Sequence, residues 1–358
     1  MSVMLTRRAL LNSMALAAAA PFVRLAGDGP RMCLAYTSFA VRMLQGKDIL
    51  KSNAAALTAD QFLDLCVKFG ARGAQLDWSQ IESHEAVALA KLKARVERDG
   101  LALELSVPAS YLETPAAYNE MATTASVLGV KRVRIALLYG RRYETFKTRE
   151  EWTTWRAKWF ATLPAMKAAI EAHPVLVGIE NHKDFHAAEL VELLQRVGST
   201  KVGCCVDFGN NISLLEDPMD TIRTLAPYTV TTHLKDMAVK PTADGFELSE
   251  VPLGEGLLPL RAMIDELTRH RPDVDLCLEM ITRDPLRCRT RQTATGSRWI
   301  TLAWTLRVSS ERYWASRRHA TCRASRAWHR QIRLRSRTNW CGDRWSTPGG
   351  RSSSEPVE

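Results

Sequence analysis

Between residues 32 and 280, eight short β-rich segments alternate with helical stretches, and this alternation limits the possible folds more than any other feature of the chain. The strand candidates are 33–38, 74–77, 102–107, 132–136, 176–180, 202–207, 229–234 and 276–279. A strand that is followed each time by a helix returns parallel to its predecessor, which points to an α/β fold with a parallel sheet. The helices carry their own local signals. Thr58 with Gln61 forms a capping box ahead of Phe62, Leu65, Cys66 and Phe69, and Gly70 closes that helix. Thr148 with Glu151 does the same for a helix striped with Trp152, Trp155 and Trp159. The i, i+3, i+7 spacing of that stripe predicts helix packing in preference to ligand stacking. Eight strand–helix units in about 250 residues fit a (β/α)8 TIM barrel. The rival, a doubly wound open sheet, finds neither a G-x-G-x-x-G after the first strand nor a G-x-x-x-x-G-K-[ST].

Composition narrows the class further. With 46% hydrophobic and 25% charged residues among 358, wholesale disorder is excluded. Outside the first 23 positions no run of about 18 uncharged apolar residues occurs, which excludes a polytopic membrane protein. The formal charge of +10 is unevenly placed: 16 of the 49 basic residues and 4 of the 39 acidic ones lie from Arg287 onward, leaving 33 against 35 before it. That segment has no Lys and holds six of the ten Trp. Residues 287–358 therefore read as an irregular Arg/Trp/Ser-rich tail that leaves the barrel with an incomplete or aberrant C-terminal end. A basic arm for nucleic acid is one explanation. A shifted reading frame accounts better for the loss of Lys with the rise of Arg, Ser and Trp, and such a tail is expected to make the chain unstable or poorly soluble. The eight Cys, at 33, 66, 204, 205, 277, 288, 322 and 341, contain no C-x-x-C pair, which excludes a zinc ribbon. Cys204 and Cys205 would face opposite sides of a strand as small buried hydrophobes.

In a barrel of this kind the chemistry lies where strands end. Glu180, Asp207, His233 and Glu279 stand at the ends of four consecutive strand candidates. Three carboxylates and an imidazole converging on one axis would repel one another without a cation. Such a donor set suits one divalent ion, Mn or Mg first, with Zn or Co also accommodated. Each residue taken singly is ordinary, since a carboxylate after a strand commonly caps a helix. The four in strand order are a stronger signal.

The segments Gly178-Ile-Glu180-Asn-His182, Cys205-Val-Asp207-Phe-Gly-Asn210, Thr232-His233-Leu-Lys235-Asp236, Val251-Pro-Leu-Gly254-Glu255-Gly256 and Leu278-Glu279 resemble the xylose isomerase-like TIM barrels over residues 30–286. The resemblance implies that Glu180 and Glu279 bind the metal and also act as the catalytic acid and base pair, with Asp207 and His233 as further metal ligands. It implies a metal-dependent sugar isomerase or epimerase that passes a proton through an enediolate. A lyase or hydratase acting on an oxidised sugar uses the same site, and a non-catalytic carbohydrate-binding barrel is the alternative without chemistry. The apurinic-site endonuclease branch is disfavoured, because its additional histidines are missing after strands two and three and Asn210 stands where another would be. Asn181, His182, Asn210 and Lys235 are candidates for substrate binding. Asn210 reads equally as a turn residue beside Gly209, and Lys235 as an ion pair with Asp236. Tyr36, Trp78, Tyr111 and Tyr139 are candidate pocket walls or core.

Residues 1–27 resemble a twin-arginine export signal: Arg7-Arg8 precedes a moderately apolar run that ends in small residues, with cleavage expected between Ala20 and Asp28. The implied location is periplasmic, without stable membrane insertion after processing. The expected partner is a small carbohydrate and not a specific nucleic acid, and an oligomer is compatible with the sequence.

Overall fold

The computed structural model describes residues 30–39, 57–281 and 285–289. Residues 1–27, expected to be an export signal, and nearly all of the Arg-rich tail lie outside these residues. Eight parallel strands form one sheet: β1 (Met32–Ala35), β2 (Gly73–Asp77), β3 (Ala102–Ser106), β4 (Arg132–Ile135), β5 (Leu176–Glu180), β6 (Val202–Asp207), β7 (Thr229–His233) and β10 (Leu276–Leu278). Their spatial order is β10-β1-β2-β3-β4-β5-β6-β7, so chain neighbours are also sheet neighbours, as a barrel requires. The closing seam is light. Between β7 and β10 there is one bridge, Leu234 to Leu278, with the Leu234 N–H donating to the Cys277 carbonyl at 2.7 Å and the Glu279 N–H to the Leu234 carbonyl at 3.0 Å.

Seven helices of eight or more residues cover the barrel among the described residues: α1 (Ala59–Lys68), α2 (Ala86–Arg98), α3 (Pro115–Val127), α4 (Arg149–Ala165), α5 (Ala187–Val197), α6 (Pro218–Leu225) and α7 (Leu260–His270). Both expected capping boxes form. At the start of α1 the Gln61 N–H donates to the Thr58 hydroxyl at 3.2 Å, and the Thr58 N–H returns a bond to Gln61 Oε1 at 3.1 Å. Each satisfies a backbone donor that the first turn leaves without a helical partner. Thr148 and Glu151 repeat the arrangement on α4. Along α4, Trp152 and Trp159 are buried and Trp155 half-buried, with Trp152 and Trp155 packed on Phe146 and Phe185, so the stripe is core. Cys204 and Cys205 are buried and unbridged.

The floor of the barrel is tied by charge. Asp275, just before β10, accepts from Arg31 Nε at 2.7 Å and from Arg132 Nη1 at 2.8 Å, which joins the entrances of β1, β4 and β10. Above the opposite rim lies a small antiparallel sheet of β8 (Asp236–Thr242), β9 (Gly245–Val251) and β11 (Leu286–Arg289), in the order β11-β9-β8. The segment after β7 forms a hairpin that sequence reasoning did not place. β11 straddles residue 287, and its Leu286 and Cys288 are buried. Among the described residues no helix is long and apolar enough to cross a membrane.

Candidate metal centre

Each of the four expected donors sits where its strand stops: Glu180 is the last residue of β5, Asp207 of β6 and His233 of β7, and Glu279 follows β10 directly. Hydrophobic strand interiors carry these polar ends to one point. One ligand atom from each of the four lies within 4.8 Å of the others. All four are buried, Glu279 being the most exposed at 3%. His233 Nδ1 lies 3.5 Å from Glu180 Oε1 and 3.3 Å from Glu279 Oε1.

The arrangement fits a cation. His233 Nδ1 and Asp207 Oδ2 are buried without a hydrogen-bond partner, and such atoms are costly unless something polar meets them. Asp207 Oδ2 has Lys235 Nζ at 2.8 Å as an ion pair, but not in line for a hydrogen bond. Cys205 also lies close to Glu180 and His233. Burial pushes its thiol far up, which keeps the sulfur protonated and favours the carboxylate and imidazole donors.

Two cations brace the acids, Arg134, which sequence reasoning missed, and Lys235, which it paired with Asp236. Arg134, from β4, ion-pairs with Glu180 and donates through Nη1 to the Ser106 hydroxyl at 3.0 Å. Lys235 hydrogen-bonds to Glu279 and lies 3.7 Å from Glu250. Burial raises the Glu180 carboxyl, but Arg134 and the His182 and His233 rings together more than offset it and hold the group well below the usual carboxylate range. Glu279 is likewise raised by burial and lowered further by His233 and Lys235. Asp207 goes the other way, because burial outweighs Lys235 and its pKa is raised. Burial lowers the His233 imidazole, yet the charges of Glu279 and Glu180 lift it to about 9. The positive charge on His233 that this implies belongs to the place a metal would take.

The four expected substrate contacts divide. Asn210 faces the centre: its Nδ2 donates to Glu180 Oε1 at 2.9 Å while its N–H donates to Asp207 Oδ1 at 2.8 Å, so it is more than a turn residue. Lys235 also belongs to the centre, and its partners are Asp207 and Glu279 in place of the expected Asp236. Asn181 points elsewhere: its side chain accepts from the Asp207 N–H at 2.7 Å and donates to the Asp207 carbonyl at 3.0 Å, which splints the end of β6. His182 donates from Nδ1 to the Leu138 carbonyl at 2.7 Å, and burial lowers its pKa to about 3, which keeps the ring neutral. Asp236 clamps the next loop by accepting the N–H groups of Gly254 and Gly256 at 2.9 Å each. Glu255 is exposed. Of the wall candidates, Tyr36 packs edge-on against Phe62 in the core, Trp78 lies 4.8 Å from Tyr111, and Tyr139 is exposed beside His182.

Three further polar residues inside the barrel went unnoticed in the sequence. Gln75 Oε1 lies 2.8 Å from His233 Nε2 across the interior. Glu104 Oε2 accepts from Gln75 Nε2 at 3.3 Å and from the Thr231 hydroxyl at 2.7 Å. Glu250 approaches from the roof sheet. A polar residue in the middle of an otherwise apolar strand, as in Gly73-Ala-Gln75-Leu and Ala102-Leu-Glu104-Leu, is the signal that marks the first two.

Known proteins were compared with this chain. The curated 3-oxo-isoapionate decarboxylase of Pectobacterium atrosepticum is 24% identical over 205 residues, which is 57% of this chain and 70% of that protein. The uncharacterized protein YihM of Escherichia coli K12 is 30% identical over 89 residues, only 27% of its length and 25% of this chain. Among solved structures, D-psicose 3-epimerase in the presence of D-fructose superposes with a TM-score of 0.53 at 14% identity, covering 75% of this chain and 89% of that one. That likeness is one of fold. Residues 63–302, well over half of the chain, match the family model described as the xylose isomerase-like TIM barrel. With the barrel order and the strand-end donors in agreement, the chain belongs to the xylose isomerase-like TIM barrel family.

Proposed function

We propose that the protein is a divalent-metal-dependent isomerase or epimerase that moves a proton beside the carbonyl of a sugar or keto-sugar. The observation that carries this reading is that two ionised glutamates from separate strands, Glu180 and Glu279, flank a single imidazole nitrogen at 3.5 and 3.3 Å. Asp207 and His233 complete the set that would hold the ion. When bound, a divalent ion supplies Lewis acidity that makes the C–H beside a chelated carbonyl more acidic. The charges around Glu180 and Glu279 keep both ionised at neutral pH, so one of them accepts that proton, and the other returns a proton to the opposite face of the substrate carbon after taking one up from water or a substrate hydroxyl. Asn210, bonded to Glu180 Oε1, fixes one carboxylate and offers an amide to a substrate hydroxyl. Mn or Mg suits the oxygen-rich donors best, with Zn or Co as substitutes.

Incubating the purified protein with Mn²⁺ and a panel of ketoses and 3-keto-sugars in D₂O tests the chemistry, with deuterium incorporation followed by NMR. Exchange beside the carbonyl is expected, and Glu279→Gln should abolish it while substrate affinity stays within about tenfold. Exchange that persists in both Glu180→Gln and Glu279→Gln removes these residues from the mechanism.

A lyase acting on an oxidised sugar is the second reading. It is favoured by the two buried cations, Arg134 and Lys235, which suit an acidic substrate group, and by the name of the decarboxylase relative. In the same experiment it would release a hydroxyl group or carbon dioxide along with exchange, whereas a carbohydrate-binding barrel would show neither. We also propose export through the twin-arginine-type segment at Arg7-Arg8. Cytoplasmic retention of a reporter fused to residues 1–27, in a host with that pathway, would refute it.

A further inference from the structure

The second neighbour of the imidazole is as informative as the first. Gln75 and Glu104 are register partners on β2 and β3, and both side chains enter the barrel. Glu104 Oε2 receives the Thr231 hydroxyl at 2.7 Å and the Gln75 amide nitrogen at 3.3 Å. The amide of Gln75 turns its NH₂ toward Glu104 and its oxygen toward His233, 2.8 Å away, the orientation that suits a carboxylate oxygen already receiving a hydroxyl. That oxygen only accepts. Nε2 of His233 therefore carries the hydrogen, and in the neutral ring the lone pair is left on Nδ1, the atom that faces Glu180 and Glu279.

We propose that Gln75 and Glu104 are positioning residues for the metal, passing a fixed orientation from a buried carboxylate through one amide to His233 so that its Nδ1 lone pair faces the ion. This rests on the metal-centre reading given above. A histidine ligand commonly meets a carboxylate directly on its far side. Here three carboxylates already crowd the ring's near side, and an amide in between fixes the tautomer without putting a fourth anion against the imidazole. Without the relay, the other tautomer would point an N–H at the position of the cation and each binding event would have to displace it.

The test uses the full chain with Zn²⁺ as a diamagnetic probe. Affinity is measured by chelator competition, and the His233 ring is observed by long-range ¹H–¹⁵N correlation in Zn²⁺-loaded, ¹⁵N-His-labelled protein. Wild type should show a protonated, slowly exchanging Nε2 and a metal-bound Nδ1. Gln75→Met should weaken Zn²⁺ about 10- to 100-fold and lose the slow Nε2–H signal. Gln75→Glu, which restores an acceptor and can share a proton with Glu104, should recover affinity to within about threefold of wild type. Glu104→Gln should lie between them, and the Gln75→Met/Glu104→Gln double variant should bind no more weakly than Gln75→Met, because the relay is already cut. Zn²⁺ affinity within about twofold of wild type in Gln75→Met, or equal damage in Gln75→Glu and Gln75→Met, would overturn the relay. If Gln75→Met fails to fold, Glu104→Gln decides: unchanged affinity with an unchanged Nε2–H signal overturns it. Failure of wild type to bind any Zn²⁺ would instead remove the metal centre itself, an outcome distinct from a variant that binds normally.

Discussion

Asp184 shows how one buried acid couples the rim of the barrel to pH. Its Oδ1 accepts the Phe185 N–H at 2.7 Å and the His182 N–H at 3.2 Å, while Oδ2 is buried without a hydrogen-bond partner. Burial raises its pKa to about 7, against the pull of those backbone donors. The folded chain therefore holds a proton here that the unfolded chain gives up near pH 4, and stability falls as pH rises from about 4 through 7. Asp184→Asn keeps the accepting oxygen and removes the charge. It should flatten that part of the pH–stability curve and raise stability at pH 8 by about 1 kcal/mol or more, as read by urea denaturation at a series of pH values. The four ligands predict metal content directly: wild type should retain about one ion per chain after gentle purification, and Glu180→Gln or Asp207→Asn should lower it severalfold by elemental analysis. Glu180, Asp207 and Glu279 were legible because each ends an apolar run, where a charge stands out, and His233 because it ends a β-branched run between them in strand order. Gln75 and Arg134 were not, since their roles depend on partners far along the chain, 158 residues away for Gln75 and His233.

At the level of elements, all eight barrel strands could be read from sequence because parallel strands buried on both faces leave short β-rich runs separated by helix signals. The roof was missed. β8 and β9 turn through Ala243-Asp244 with Gly245 opening β9, and this Asp-Gly pair is a hairpin signal that lay between two barrel units and was passed over. The loop that follows depends on a glycine for a steric reason. A Cβ at Gly256 would lie 1.9 Å from Asp236 Oδ1, so the backbone can approach the carboxylate only without a side chain. Gly256→Ala should force Asp236 off the N–H groups of Gly254 and Leu258 as well, costing about 1–3 kcal/mol by chemical denaturation and opening 252–258 to limited proteolysis.

Across the whole molecule, composition separated a nearly neutral body from a basic tail, but the structure does not cut cleanly at that point. Leu286 to Arg289 pair with Gly245 to Leu248, so chain from both sides of residue 287 builds the roof. The stretch beyond residue 289, where sequence reasoning looked for the barrel's eighth helix, lies outside the described residues. The light seam between β7 and β10 has a consequence for the donors. Glu180, Asp207 and His233 ride on strands that are paired in unbroken succession, whereas Glu279 follows a three-residue strand joined to β7 by a single bridge. Local opening of the barrel should therefore begin at this seam and withdraw one donor while the other three stay together. In hydrogen–deuterium exchange of the metal-free protein, the Leu234 and Glu279 amides should exchange well before those of β5 and β6, and added Mn²⁺ should slow them most. If so, the ion is also the rivet that holds the last strand in the barrel, and release of metal and loosening of the fold are one event.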